Sequence, residues 1–222
     1  MTERRDRISP EPVSILTQEE GKILLGIARE TLERLLYRGD RWQPDLSTVP
    51  ASLQEPGASF VTLYTRGELH GCIGTVLPVR PLAVDVASNA ISAAVNDPRF
   101  APLTAAELPF TAIEVSVLSS LQPVSYEDLE DLENKLRPGI DGVLLRRGWQ
   151  RGLLLPQVWE HIPSPREFLR HVALKAGLPI DVYEAPDAQV YIFQVQSFEE
   201  PAPVEGHDEH RTASSSQDLS AA

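Results

Sequence analysis

The apolar positions of this chain change period along its length, and each change marks an element. Behind Thr17, Leu24, Ile27, Ala28, Leu32 and Leu35 recur at helical spacing, with Thr31 in the same stripe. Thr17 and Glu20 have capping-box spacing and Gly39 is a stop, so the pattern predicts a helix between Thr17 and Gly39. The period then shortens to two. Val61 and Leu63 alternate with Thr62 and Tyr64, "TRGE" turns, and Leu69 to Thr75 returns, which reads as a hairpin. Pro81 suits the first position of a second helix that stops before Pro98. Its stripe of Leu82, Val86, Ala90, Ala93 and Ala94 is rich in small residues, so a neighbour packs close against it.

The second half repeats these signals. Ile113, Val115 and Val117 alternate with Glu114 and Ser116, a strand. "YEDLEDLENKL" is a short acidic helix, and "GVLLRRGWQRGLLLP" is a hairpin turning at Arg147–Gly148. Ser164, Pro165, Glu167 and Gly177 frame a capped helix, and "QVYIFQVQSF" is a last strand. Hairpins mixed with helices, without regular βαβ alternation, place the chain in the α+β class with antiparallel sheets. Residues 1–12 read as a flexible arm, 13–198 as the folded domain, and 199–222 as an acidic, polar, disordered tail.

Charge and composition narrow the function. The net charge of −12 disfavours nucleic-acid binding, which rests on clustered Lys and Arg. A single cysteine forms no internal disulfide, the N-terminal stretch lacks the apolar core of a secretory signal, and no apolar run spans a bilayer. The expectation is a cytoplasmic protein that does not enter membranes.

That one cysteine lies in "LHGCIGT". In a regular strand His70 and Cys72 share a face, and a thiol beside a histidine can become a nucleophile or a ligand. Gly71 and Gly74 leave room for a ligand or for another backbone; the competing reading is a buried thiol among packing glycines. "NDPRF" supplies Asp97 and Arg99, either an anion clamp or a staple from the helix end to the next loop. Glu114 is a candidate base or a partner for Arg99, and Gln157 sits at a strand end. No CxxC pair, HExxH, P-loop, GxGxxG or GxSxG occurs; His207 and His210 fall in the tail, so no metal and no particular cofactor is indicated.

Together "FVTLYTRGELHGCIG", "NAISAAVNDPRFAPLTAAEL", "IEVSVLSSLQPV", "GIDGVLLRRGWQRGLLLPQVW" and "EFLRHVALKAGLP" resemble the AMMECR family, protein A of the AmmeMemoRadiSam system. The likeness covers roughly Leu16 to Phe198. The family motif reads Leu-Arg-Gly-Cys-Ile-Gly; here His70 replaces the arginine and binds an anion only when protonated. The resemblance implies a larger and a smaller subdomain flanking a cleft, with the motif near it. It also implies a Memo-like protein and a radical-SAM enzyme as partners, and no established reaction. The expected site is therefore a small-molecule or modified-residue site, with Cys72 and His70 as its catalytic pair and Gly71, Gly74, Asp97, Arg99, Glu114 and Gln157 binding ligand. The alternative is a non-catalytic adaptor.

Overall fold

The structure, a computed structural model, describes residues 16–202. The arm expected at 1–12 and the tail from 203, with His207 and His210, lie outside the described residues. In chain order the helices are α1 (Gln18–Arg38), α2 (Ala51–Gln54), α3 (Leu82–Val95), α4 (Leu129–Lys135) and α5 (Pro165–Lys175). The strands are β1 (Pro56–Gly57), β2 (Ser59–Thr65), β3 (Glu68–Gly74), β4 (Arg80–Pro81) and β5 (Thr111–Leu118), then β6 (Gln122–Pro123), β7 (Gly142–Arg147), β8 (Gln150–Leu154), β9 (Gln189–Phe193) and β10 (Val195–Glu199). None of the helices is long and apolar enough to cross a membrane.

Two antiparallel sheets, ordered β10-β5-β2-β3 and β6-β9-β7-β8, each carry helices on one face. On the first, Val61, Leu63, Ile113, Val115 and Val117 meet Leu24, Ala28 and Leu32 of α1 and Val86, Ala90 and Ala93 of α3. On the second, Val143, Leu145 and Val190 meet Phe168, Leu169 and Val172 of α5 and Leu132 of α4. A smaller apolar cluster of Ala58, Leu118 and Phe193, with Phe60, Leu153, Leu155 and Val195, joins the two layers. The fold class expected from the pattern, α+β with antiparallel sheets, is the observed one.

Local chemistry accounts for the elements. α1 starts on the capping box: Glu20 N–H donates to Thr17 Oγ1 at 3.2 Å, and Thr17 N–H donates back to Glu20 Oε2 at 2.7 Å. It ends at Gly39, whose φ of +69° lies in the left-handed region. Pro81 sits one position earlier than expected, as the cap of α3, because it still belongs to the β1–β4 ladder opposite Pro56, and the next residue, Leu82, donates its N–H to the Glu55 carbonyl at 2.9 Å. The Pro-rich connection at 40–58 contains α2 and a 3₁₀ turn at Leu46–Thr48, opened by Asp45 accepting from Ser47 N–H. Short turns capped by Asp and Pro leave no periodic trace, which is why the pattern does not reveal them.

Two boundaries differ from the sequence expectation. "QVYIFQVQSF" is not one strand. β9 pairs with β7 in the second sheet and β10 with β5 in the first. The exchange occurs at Gln194, whose backbone N–H donates to Ser119 Oγ and whose carbonyl accepts from Ser119 N–H, both at 2.9 Å. Alternation continues through the exchange, so hydrophobicity alone cannot show it. Nor does order stop at 198. Glu199 closes β10, and Glu200 forms an ion pair with Arg29 of α1 and accepts from Ile113 N–H at 3.0 Å. Glu200 looks like tail because its cation lies 171 residues away in the chain.

The first layer is also tied by a polar centre that the pattern conceals. Asp85 of α3 is fully buried and accepts from Ser59 N–H at 3.0 Å, Ser59 Oγ at 2.7 Å and Thr75 Oγ1 at 2.6 Å. Arg80 Nε at 2.8 Å and Asn89 Nδ2 at 2.9 Å complete its shell. Removing one member of a buried, hydrogen-bonded ion pair strands the remaining groups. Asp85→Ala is expected to lower stability by about 3–5 kcal/mol, and Thr75→Ala, which removes one donor, by about 1 kcal/mol. Urea denaturation of both variants checks the contrast.

Candidate functional site

β3, the strand of "LHGCIGT", is an edge strand: it pairs only with β2 in its sheet. An edge residue whose N–H and C=O point outward leaves both groups without a ladder partner. At Cys72 the loop after α3 supplies those partners. Cys72 N–H donates to Asp97 Oδ2 at 2.9 Å, and Arg99 Nη2 donates to the Cys72 carbonyl at 3.1 Å. Arg99 also grips Asp97, through Nε to Oδ1 at 2.9 Å and Nη2 to Oδ2 at 2.7 Å. Asp97 and Arg99 thus stand in for a missing neighbouring strand. Of the two readings of "NDPRF", the geometry is the staple, but it fastens the helix end to the cysteine itself.

Asp97 is buried while Arg99 is largely exposed. The Arg99 guanidinium, with the backbone N–H groups of Cys72 and Arg99, outweighs burial and holds the Asp97 carboxyl far below the usual carboxylate range. The same hydrogen bond raises Arg99.

Because both Cys72 backbone groups face outward, the Thr62–Cys72 pair is of the type without mutual backbone hydrogen bonds. Facing side chains come closer in such pairs. Thr62 Oγ1 accordingly donates to Cys72 Sγ at 3.3 Å. The ladder carries this face onward. Thr62 opposes Glu114, Phe60 opposes Ser116, and Tyr64 opposes Ala112. On β10, Ser197 opposes Ser116 and Glu199 opposes Glu114. Cys72, Thr62, Tyr64, Glu114, Ser116, Ser197 and Glu199 therefore share the sheet face turned away from α1 and α3. Ser116 Oγ donates to Glu114 Oε1 at 2.9 Å. Glu114 serves this face, and Arg99 takes Asp97 rather than Glu114 as its carboxylate. Beside them Tyr64, Ala112, Ile113, Glu114, Glu199 and Glu200 line an open cavity of about 280 Å³. Burial first, then the charges of Glu114, Cys72 and Glu199, push the Tyr64 hydroxyl pKa up, so it remains a proton donor through neutral pH.

His70 is not on this face. The β2–β3 register shifts between Leu63 and Tyr64: Gly71 opposes Leu63 and Leu69 opposes Tyr64, so His70 is the extra residue of a bulge. Its ring lies against Phe100, with centroids 6.3 Å apart and planes 19° from parallel. Nε2 is buried without a hydrogen-bond partner. The expected His70–Cys72 pair does not form, because the bulge breaks the two-residue alternation on which it depended. The room expected beside the glycines is also filled. A Cβ on Gly71 would sit 2.1 Å from the Ala93 carbonyl oxygen, and one on Gly74 would sit 2.3 Å from the Phe60 ring. Gln157 is exposed in the 3₁₀ turn Pro156–Glu160, directly after Leu155 of the joining cluster. The members sequence reasoning missed are Thr62, Tyr64 and Glu199. Period-two alternation with Glu114 was the available signal, but it needed the strand register. Among the described residues no group of three or more His, Cys, Asp or Glu side chains is placed to hold a metal ion.

Asp97→Ala leaves the Cys72 N–H without its acceptor and is expected to cost about 1–3 kcal/mol. The pH dependence has a definite sign. The folded-state pKa is depressed, so Asp97 stabilises fully above the unfolded value of about 3.9. That stabilisation is lost as pH falls from there through the folded value. Acid titration followed by circular dichroism should show wild type losing its advantage over Asp97→Ala in that window.

The sequence model of the AMMECR1 family matches residues 25–198. A protein of Methanothermobacter thermautotrophicus is 42% identical over 190 residues, covering 83% of this chain and 96% of its own length. One of Thermofilum pendens is 41% identical over 203 residues, covering 85% and 93%. The crystal structure of an uncharacterized protein from Pyrococcus horikoshii superposes with a TM-score of 0.74 at 35% identity, over 86% of this chain and 96% of that one. Matched over most of its length in sequence and in fold, this chain belongs to the AMMECR1 family.

Proposed function

We propose that the sheet face around Cys72 is a binding site for a small molecule or a modified residue, and that the Cys72 thiol is its reactive group. One observation carries the reading. The thiol is half-buried on the face that the helices leave uncovered, and its backbone is fixed at the sheet edge by Asp97 and Arg99. A buried structural cysteine needs neither a hydroxyl aimed at its sulfur nor a paired-ion clasp on its backbone. Thr62 supplies the first and holds the sulfur in place. Tyr64 and Glu114 provide a donor and an acceptor beside it, the small set of convergent polar groups that orients a ligand.

The apolar cluster of Phe60, Leu118, Val195, Leu153 and Phe193 supports a cleft between the two layers, because those residues lie on the Cys72 face of one sheet and on the uncovered face of the other. In this reading the cleft takes the ligand, and Gln157 stands at its rim. His70 lies outside the reaction; its place is the packing against Phe100. The family resemblance brings a Memo-like protein and a radical-SAM enzyme as the partners that supply or consume the ligand, working together in the cytoplasm.

Alkylation tests the thiol. Iodoacetamide should modify Cys72 in the folded protein below about pH 9, with Thr62→Val changing the rate at unchanged fold. A thiol that reacts only after unfolding is structural, and the reading fails. Cys72→Ser should keep the melting temperature of wild type within a few degrees.

A further inference from the structure

The tip of the β7–β8 hairpin combines three features that the fold does not need. Trp149 is 87% exposed, more than any other large apolar side chain among the described residues. It occupies a two-residue turn behind Gly148, whose φ of +59° fits the first position of a tight hairpin turn. The ring is therefore held out by a short, fixed connection. Arg146 and Arg151 face each other directly across the strands. Like charges opposed in this way destabilise a hairpin. Arg147 next to them is tied to Asp187 at 2.9 Å, yet neither Arg146 nor Arg151 has an ion-pair partner among the described residues. An exposed Trp between two uncommitted arginines has the composition of an interface anchor, since Trp and Arg dominate binding energy at protein contacts.

We propose that this tip is a docking point for a partner protein with an acidic surface and an apolar pocket for the Trp149 ring. Charge complementarity selects that partner. The chain as a whole carries −12, so a local excess of positive charge is a reversal that orients an approaching acidic protein. A nucleic acid is disfavoured by the same body charge, because two arginines neutralise few phosphates and the remainder of the chain repels the polyanion. The facing arginines give up hairpin stability, and the bound partner's carboxylates restore it.

The test titrates the full chain with a glutamate-rich peptide carrying a central phenylalanine and follows tryptophan emission. The expected result is a blue shift that Trp149→Phe abolishes, that added salt weakens, and that Arg146→Glu/Arg151→Glu weakens by at least about tenfold. Arg146→Glu alone should raise the melting temperature, by relieving the facing charges, while it weakens peptide binding. The rate of Cys72 alkylation should not change in any of these variants, which separates this surface from the thiol site. No shift at millimolar peptide, or a shift indifferent to both arginines, overturns the proposal. So does an oligothymidylate of equal charge that binds more tightly through the same arginines.

Discussion

The close approach of a helix backbone to a strand glycine sets the rest of this structure. In the first layer a Cβ on Gly71 would lie 2.1 Å from the Ala93 carbonyl oxygen of α3. In the second, a Cβ on Gly152 would lie 2.0 Å from the Val172 carbonyl oxygen of α5. Real Cβ atoms do not come so close, so each helix can seat this deeply only on a residue without one. The small-residue stripe of Ala90, Ala93 and Ala94 makes the same depth possible from the helix side. In the first layer the seating has a chemical result. α3 ends at Val95, and two residues later Asp97 reaches the edge of β3, where it takes the Cys72 N–H. A helix displaced outward by one methyl group would carry that carboxylate out of hydrogen-bond range.

The same constraint explains why the site faces as it does. With Gly71 committed to α3, alternation sends Cys72 to the opposite side of the sheet. With both backbone groups of Cys72 drawn outward by Asp97 and Arg99, the side chains of Thr62 and Cys72 come close. The polar face of β2, β5 and β10 then continues from the sulfur through Glu114 to Glu199. Buried carboxylates recur as the fasteners: Asp85 ties α3 to β2, Asp97 ties the end of α3 to β3, and Asp141 in the second layer accepts from Arg137 Nε at 2.9 Å. Each is satisfied several times over, as a charge removed from water must be.

The two layers meet through chain continuity as much as through packing. β9 and β10 form one extended run that changes sheets at Gln194, and β5 and β6 make the matching exchange at Ser119. Residues 189, 191, 193, 195, 197 and 199 keep one side throughout. Phe193 and Val195 at the exchange join Phe60, Leu118 and Leu153 in the cluster between the layers.

Periodicity and caps determined the long elements. The Thr17–Glu20 box, the alanine stripe of α3, the alternation around Glu114 and the capped helix from Pro165 all rest on interactions within a few residues, which sequence spacing encodes directly. It also picked out Cys72, Asp97, Arg99 and Glu114, because thiols, ion pairs and mid-strand acids are visible one residue at a time. What it left open depends on contacts distant in the chain. The bulge that moves His70 off the Cys72 face is a register choice between β2 and β3. The ion pair of Arg29 with Glu200, and the exchange of one strand between two sheets, likewise have no local signature. Which side of a strand becomes core was settled by where α3 could seat, and that is a property of the packed molecule, set by the missing Cβ at Gly71 against the carbonyl of Ala93.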